Sequence, residues 1–170
     1  MKQFKGLLLA VAALALTSAS AFAGTATSNL SVSATVSANC TLSTSAVAFG
    51  AYDPVSANAS TALNGSGSVS VTCTNGSAGT ITLGQGSNAD TSSTDTAPLR
   101  RLNDGGTNYI SYSLFQDSAR TTAWGNTAAT GVVHTGTGTL TSISVYGQMA
   151  AAQNVPAGSY SDTVVATVTF

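Results

Sequence analysis

The sequence predicts an all-β protein, an antiparallel β-sandwich carrying one disulfide, and three observations predict it. Beyond residue 23 there is no Lys and no Glu, Leu is scarce, and Ser, Thr, Val and Gly dominate, a composition that disfavours helices and favours strands joined by turns. Apolar residues recur at period two in short runs, separated by turn signals at Asn64-Gly65, Asn75-Gly76, Asp104-Gly105-Gly106 and Pro156-Ala157-Gly158. Cys40 and Cys73 are the only two cysteines, and an even pair in a small exported domain reads as a bridge.

Export is the first element in order. Lys2 and Lys5 give a positive start, Leu7 to Leu16 is an unbroken apolar run of ten, and small residues lead to Ala21-Phe22-Ala23. That is the layout of a secretory signal with an Ala-x-Ala cleavage site. Ten helical residues reach only about 15 Å, half of a bilayer core of roughly 30 Å, so the run reads as a cleaved signal over residues 1–23 rather than an anchor. No later stretch is long and apolar enough to span a membrane. Starting at Gly24, 147 of the 170 residues remain, enough for one domain with one core.

Strands are expected near 27–38, 40–50, 67–74, 79–85, 98–102, 108–116, 130–134, 139–149 and 160–170, a spacing that argues for a sandwich. Residues 86–97, rich in Ser, Thr and Asp with nothing to bury, read as a long flexible loop. The first and last strands are unusual. In 29–38, Leu30, Val32, Ala34, Val36 and Ala38 point one way, and Ser31, Ser33, Thr35 and Ser37 the other. At the far end Val164, Ala166, Val168 and Phe170 share a face, which places the C-terminus inside a sheet. The bridge between Cys40 and Cys73 closes a loop of 33 residues.

The charge pattern removes several functions. Arg100, Arg101 and Arg120 stand against Asp53, Asp90, Asp95, Asp104, Asp117 and Asp162 after the signal, a formal charge of −3. Three arginines make no basic patch, so no nucleic-acid partner is expected. The solvated surface must be Ser, Thr, Asn and Gly. No nucleophile, metalloprotease or nucleotide-binding motif is present, and His134 is the only imidazole. A lone His within Val-Val-His-Thr reads as structural, so no catalytic residue, no metal site and no cofactor is expected. Asp90 and Asp95 are two carboxylates on a loop, too few for a Ca²⁺ site. The Arg100-Arg101 pair reads as a solvated or ion-paired edge feature. Trp124 reads as an anchor between sheets, with a sugar-stacking ring as the alternative.

Further residues carry a resemblance. Pro156 to Val164 run into Ala166-Thr167-Val168-Thr169-Phe170; upstream lie Ile110-Ser111-Tyr112-Ser113-Leu114-Phe115-Gln116-Asp117 and Trp124-Gly125; Cys40-Thr41-Leu42 and Val69-Ser70-Val71-Thr72-Cys73 complete the set. Together they resemble the spore coat protein U domain family, which includes Csu-type subunits of archaic chaperone–usher pili. The resemblance implies an incomplete immunoglobulin-like sandwich over 39–170 that lacks its last strand. It implies an N-terminal donor extension at 24–38 that fills the groove of the next subunit, a form of β-augmentation, with Leu30, Val32, Ala34 and Val36 as plugs. The strand bearing Val164, Ala166, Val168 and Phe170 would line that groove. Implied partners are identical or related pilin subunits, a periplasmic chaperone and an outer-membrane usher, with export through the periplasm to a pilus on the cell surface. One domain suits a shaft or adaptor subunit better than a two-domain tip adhesin. The one departure is size, because Ala34 and Ala38 are smaller than a tight plug would carry. The alternatives are a non-fibrous secreted coat or matrix protein of the same fold, and a carbohydrate-binding module centred on Trp124.

Overall fold

A computed structural model describes residues 22–170; the signal predicted at 1–23 lies almost wholly outside them. Eight strands follow one another: β1 (Cys40–Ala48), β2 (Leu63–Cys73), β3 (Ala78–Leu83), β4 (Arg100–Asn103), β5 (Tyr109–Phe115), β6 (Val132–Thr135), β7 (Thr141–Met149) and β8 (Ala166–Thr169). All ladders are antiparallel. The strands form a five-stranded sheet in the order β1-β2-β7-β5-β4 and a three-stranded sheet in the order β6-β3-β8. The predicted all-β, single-disulfide fold is therefore the observed one, with a single 3₁₀ turn at Ala128–Thr130 as its only described helix.

Period-two patterning builds the core. Val69, Val71 and Cys73 from β2, Val145 and Met149 from β7, and Ile110, Tyr112 and Leu114 from β5 are buried on the inner face of the large sheet. Ile81 and Leu83 of β3 oppose them in the same cluster, with Trp124 between. Each such side chain contributes about 1.5–3 kcal/mol by leaving water. The alternate positions on β2 and β7 are hydroxyls and amides, with Ser68 opposite Ser144, Ser70 opposite Ser142 and Asn64 opposite Gln148, so the outward face is wetted without charge.

The disulfide joins Cys40 to its ladder partner Cys73 and so staples β1, an outer strand, to β2. At its other end β1 leaves the ladder through a bulge between Ser45 and Ala48. The chain there folds over a floor without side chains. Gly65 and Gly67 of β2 and Gly147 of β7 occupy inward positions, with Gly65 paired to Gly147. A Cβ on Gly67 would stand 2.6 Å from the Ser45 carbonyl oxygen and 2.7 Å from that of Ala46. On Gly147 it would stand 2.7 Å from both Val47 Cγ1 and Phe49 Cζ. Only glycine lets this backbone lie against the sheet.

Four expectations need correction. Asn64-Gly65 is not a turn but lies inside β2, because Gly65 serves the close approach just described. The C-terminal strand is confined to Ala166–Thr169, rather than 160–170, because only those residues of the segment have a ladder partner on β3. Residues 27–38 alternate as predicted but form no strand; a strand exists through a hydrogen-bonded neighbour, and no ladder reaches them. The compact unit containing the sandwich begins at Val36. The 86–97 loop is tied down rather than free: Arg101 donates to the carbonyls of Asn88 and Ala89 and pairs with Asp90 at 3.0 Å.

Two outcomes follow for stability. Replacing Cys40 and Cys73 together by Ser is expected to lower unfolding stability by about 3–4 kcal/mol, the chain-entropy value for a loop of this length, read from urea melts and from a lower exported yield. Gly67→Ala, whose methyl meets backbone that cannot swing aside, is expected to cost about 1–3 kcal/mol in the same measurement.

Candidate functional site

The site is set by what the sheets leave open. β1 is an outer strand of the large sheet and β8 an outer strand of the small one, and the two run near each other. Each has one ladder partner only, so each offers a row of backbone N–H and C=O groups that no described strand takes up. Between them a cleft runs down to core side chains that are themselves buried. A cavity of about 460 Å³ opens there, with Thr44 to Val47 on one wall, Val164 and Ala166 on the other, and Val69, Leu114 and Val145 beneath. A second cavity of about 780 Å³ continues past Phe49 toward Tyr52, Ile110, Met149 and Tyr160.

The walls are fixed by hydrogen bonds that cross between the sheets. Arg100 on β4 is buried. Its Nε donates to the Gly84 carbonyl and its Nη2 to those of Leu83 and Trp124, each at 2.8 Å. Arg100 is thus no solvated edge residue as the sequence suggested. Its position on the inner face of β4 turns it inward, where the end of β3 leaves carbonyls without ladder partners. Burial pushes its guanidinium down to about 10, against the opposing pull of Tyr112 and Asp162, which leaves it charged at neutral pH. Trp124 is fully buried and donates its indole N–H to the Ile81 carbonyl at 2.9 Å. It is the inter-sheet anchor, and a buried ring cannot stack on a sugar.

Asp162 lines the seam and ties β5 to the approach to β8. Tyr112 donates its hydroxyl to Asp162 Oδ2 at 2.7 Å, and the Asn88 backbone and side-chain N–H groups donate to Oδ1 at 3.1 and 3.2 Å. Burial, then the hydrogen bond to Asp162, raises the Tyr112 phenol above its ordinary value. Gly86, at φ +91, passes so close to this carboxylate that any side chain there would collide with it.

The residues singled out from sequence divide accordingly. Val164 and Ala166 line the cavity. Val168 packs half-buried against the core, whereas Phe170 is 54% exposed just past β8. Leu30, Val32 and Val36 are 87%, 85% and 82% exposed, and Ala34 is exposed as well. His134 is buried on β6 with Nε2 lacking a partner. Asp90 accepts from Ser92, and Asp95 from Gln85 and Asn126; these bonds hold both carboxyls below the usual range. Among the described residues no three His, Cys, Asp or Glu side chains converge. The sequence reading missed Arg100, the Tyr112–Asp162 bond and the glycine floor. Only the glycines left a signal, falling at period two with the buried valines of β2.

Three comparisons bear on this architecture. The family model described as Spore Coat Protein U domain matches residues 26–167. Protein U of Myxococcus xanthus is 45% identical over 149 residues, spanning 84% of this chain and 83% of that protein. Among solved structures, a chain of the CsuC–CsuE chaperone–tip adhesion subunit pre-assembly complex, from archaic chaperone–usher Csu pili of Acinetobacter baumannii, superimposes with a TM-score of 0.57 at 20% identity. That match covers 80% of this chain but 40% of the other, and it is a likeness of fold.

The Tyr112–Asp162 bond has a pH signature. A free tyrosine ionises near pH 10 and Tyr112 in the fold does so only above that. Its contribution is therefore complete below pH 10 and lost as pH rises beyond it. Arg100, whose guanidinium feels Tyr112, acts in the opposite sense above pH 10. Tyr112→Phe is expected to cost about 1–3 kcal/mol at pH 7, with the gap to wild type narrowing in melts taken from pH 9 to 11.

Proposed function

Since the chain belongs to the Spore Coat Protein U domain family, whose members are structural and non-enzymatic, we propose that it is an exported subunit of a chaperone–usher surface pilus. Each copy inserts residues 24–38 into the seam of the next by donor-strand complementation. One observation carries this reading: an apolar seam open between two outer strands, in a chain whose own alternating segment has no ladder partner. The two needs are complementary. The seam lacks a strand with alternating apolar side chains and a backbone to satisfy β1 and β8, and residues 29–38 have both.

Leu30, Val32, Ala34 and Val36 are the donor face in this reading. Val164, Ala166, Val168 and Phe170 belong to the strand flanking the groove. Before assembly a periplasmic chaperone covers the seam, since an open apolar edge invites aggregation, and an outer-membrane usher hands the subunit to the growing fibre. Signal cleavage after Ala23 frees the donor. A surface fibre of this kind would support adhesion and biofilm formation. The likeness in fold to a chain of a chaperone–tip adhesion subunit pre-assembly complex lends support to a chaperone partner.

A second reading is favoured by the 45% identity to Protein U along most of both chains. In it the same sandwich serves as a non-fibrous coat or matrix protein. Chaperone and usher genes beside this one favour the pilus, and their absence favours the coat.

Deleting residues 24–38 is expected to leave a protein that still co-purifies with its chaperone yet yields no fibres by electron microscopy. Fibres of normal length and number from that deletion would overturn the proposal.

A further inference from the structure

We propose that the seam has a fixed waist, formed by Val47, Phe49, Leu102 and Asp162, and that an incoming strand passes it only with a small side chain, which Ala34 of a second copy supplies. The proposal rests on the donor-strand reading above and adds to it a residue that sets which strand is accepted.

The waist is visible in what the two cavities share. The spaces of about 460 and 780 Å³ are both bordered by Val47, Phe49, Leu102 and Asp162. These four side chains therefore stand where one space gives way to the other. The waist has little room to widen. Val47 and Phe49 rest on Gly147 so closely that even one added methyl would stand 2.7 Å from each. Phe49 also meets Tyr112 edge-on at 6.0 Å between ring centres. Asp162 is held by the Tyr112 hydroxyl and by both N–H groups of Asn88. Packed interiors yield little to an oversized side chain.

The donor segment has the matching profile. Its apolar face reads Leu30, Val32, Ala34, Val36, large residues interrupted by one methyl. Alternate residues on a strand lie about 6.7 Å apart, so Val32 and Val36 stand roughly 13 Å from each other with Ala34 midway. A strand laid through the seam with Ala34 at the waist puts larger side chains into the cavities on both sides. The small size of Ala34, a defect if every position must fill a pocket, becomes a requirement at this one. Part of the groove is already filled by the chain's own Val47 and Phe49, which the floor of Gly65, Gly67 and Gly147 admits.

The test uses the mature chain and a fluorescein-labelled synthetic peptide of residues 24–38, with binding read by anisotropy. The unchanged peptide is expected to bind, and the Ala34→Leu peptide to bind at least tenfold more weakly. An Ala38→Leu peptide, equally enlarged away from the waist, is expected to bind within threefold of the unchanged one. On a Val47→Ala chain the Ala34→Leu penalty is expected to shrink to threefold or less; Leu102→Ala serves the same purpose from another side should Val47→Ala fail to fold. If Ala34→Leu binds as well as the unchanged peptide, or its penalty persists on both enlarged waists, the waist is overturned while the donor reading stands. If the unchanged peptide does not bind at all, the donor reading falls and the waist with it.

Discussion

Three carbonyl groups and one guanidinium tie the two sheets to each other at the end of β3. The small sheet has strands of four to six residues, so direct bonds add to its apolar contact with the large sheet. Arg100 reaches from β4 to the carbonyls of Leu83, Gly84 and Trp124, and the Trp124 indole adds the Ile81 carbonyl. These bonds fall where β3 ends and the chain turns toward the seam. A charged donor with several planar N–H groups suits a cluster of carbonyls that no ladder satisfies. Without it the buried carbonyls would stand unpaired, at about 1–3 kcal/mol each. Tyr112 and Asp162 extend the same tie to the approach to β8.

How much of this was legible in the sequence depends on the range over which each signal acts. Alternation is local, and it located seven of the eight strands closely, from Val69 and Val71 on β2 to Val145 on β7. The disulfide could be read because only one pairing of two cysteines exists. Trp124 could be placed in the core because a large ring in a short sandwich has few other uses. The failures share a cause: each concerns a residue whose partner is distant in the chain. Arg100 looks like half of a solvated pair until the end of β3, some sixteen residues earlier, is folded against it. Asn64-Gly65 has the local chemistry of a hairpin turn, yet the glycine is there to let Ala48 pass. The strand expected at 27–38 had the right pattern without a neighbour, since pattern sets propensity and pairing makes a strand.

The candidate site was legible in a different measure. The face shared by Val164 and Ala166 could be read from alternation, and only the family resemblance pointed from that face to a groove. The opposite wall could not, because the bulge that brings Val47 and Phe49 over the glycine floor is a tertiary event. The depth of the seam is equally a property of the two sheets together. What the sequence did show was the small size of Ala34 on the alternating face.

The placement of the arginines has one more consequence. Lysine occurs only at positions 2 and 5, so the chain beyond residue 23 gives a trypsin-like protease three places to cut. Arg100 is buried with its guanidinium committed to three carbonyls. Arg101 is clamped to the 88–90 loop and lies over the Tyr109 ring. Arg120 donates to the Gly147 and Ser118 carbonyls and faces the Tyr146 ring. A protease pocket that grips basic side chains finds each one already engaged. The composition that makes the surface a hydroxyl face thus also makes the folded subunit a poor substrate for digestion, a durable property for a protein read as destined for the outside of a cell.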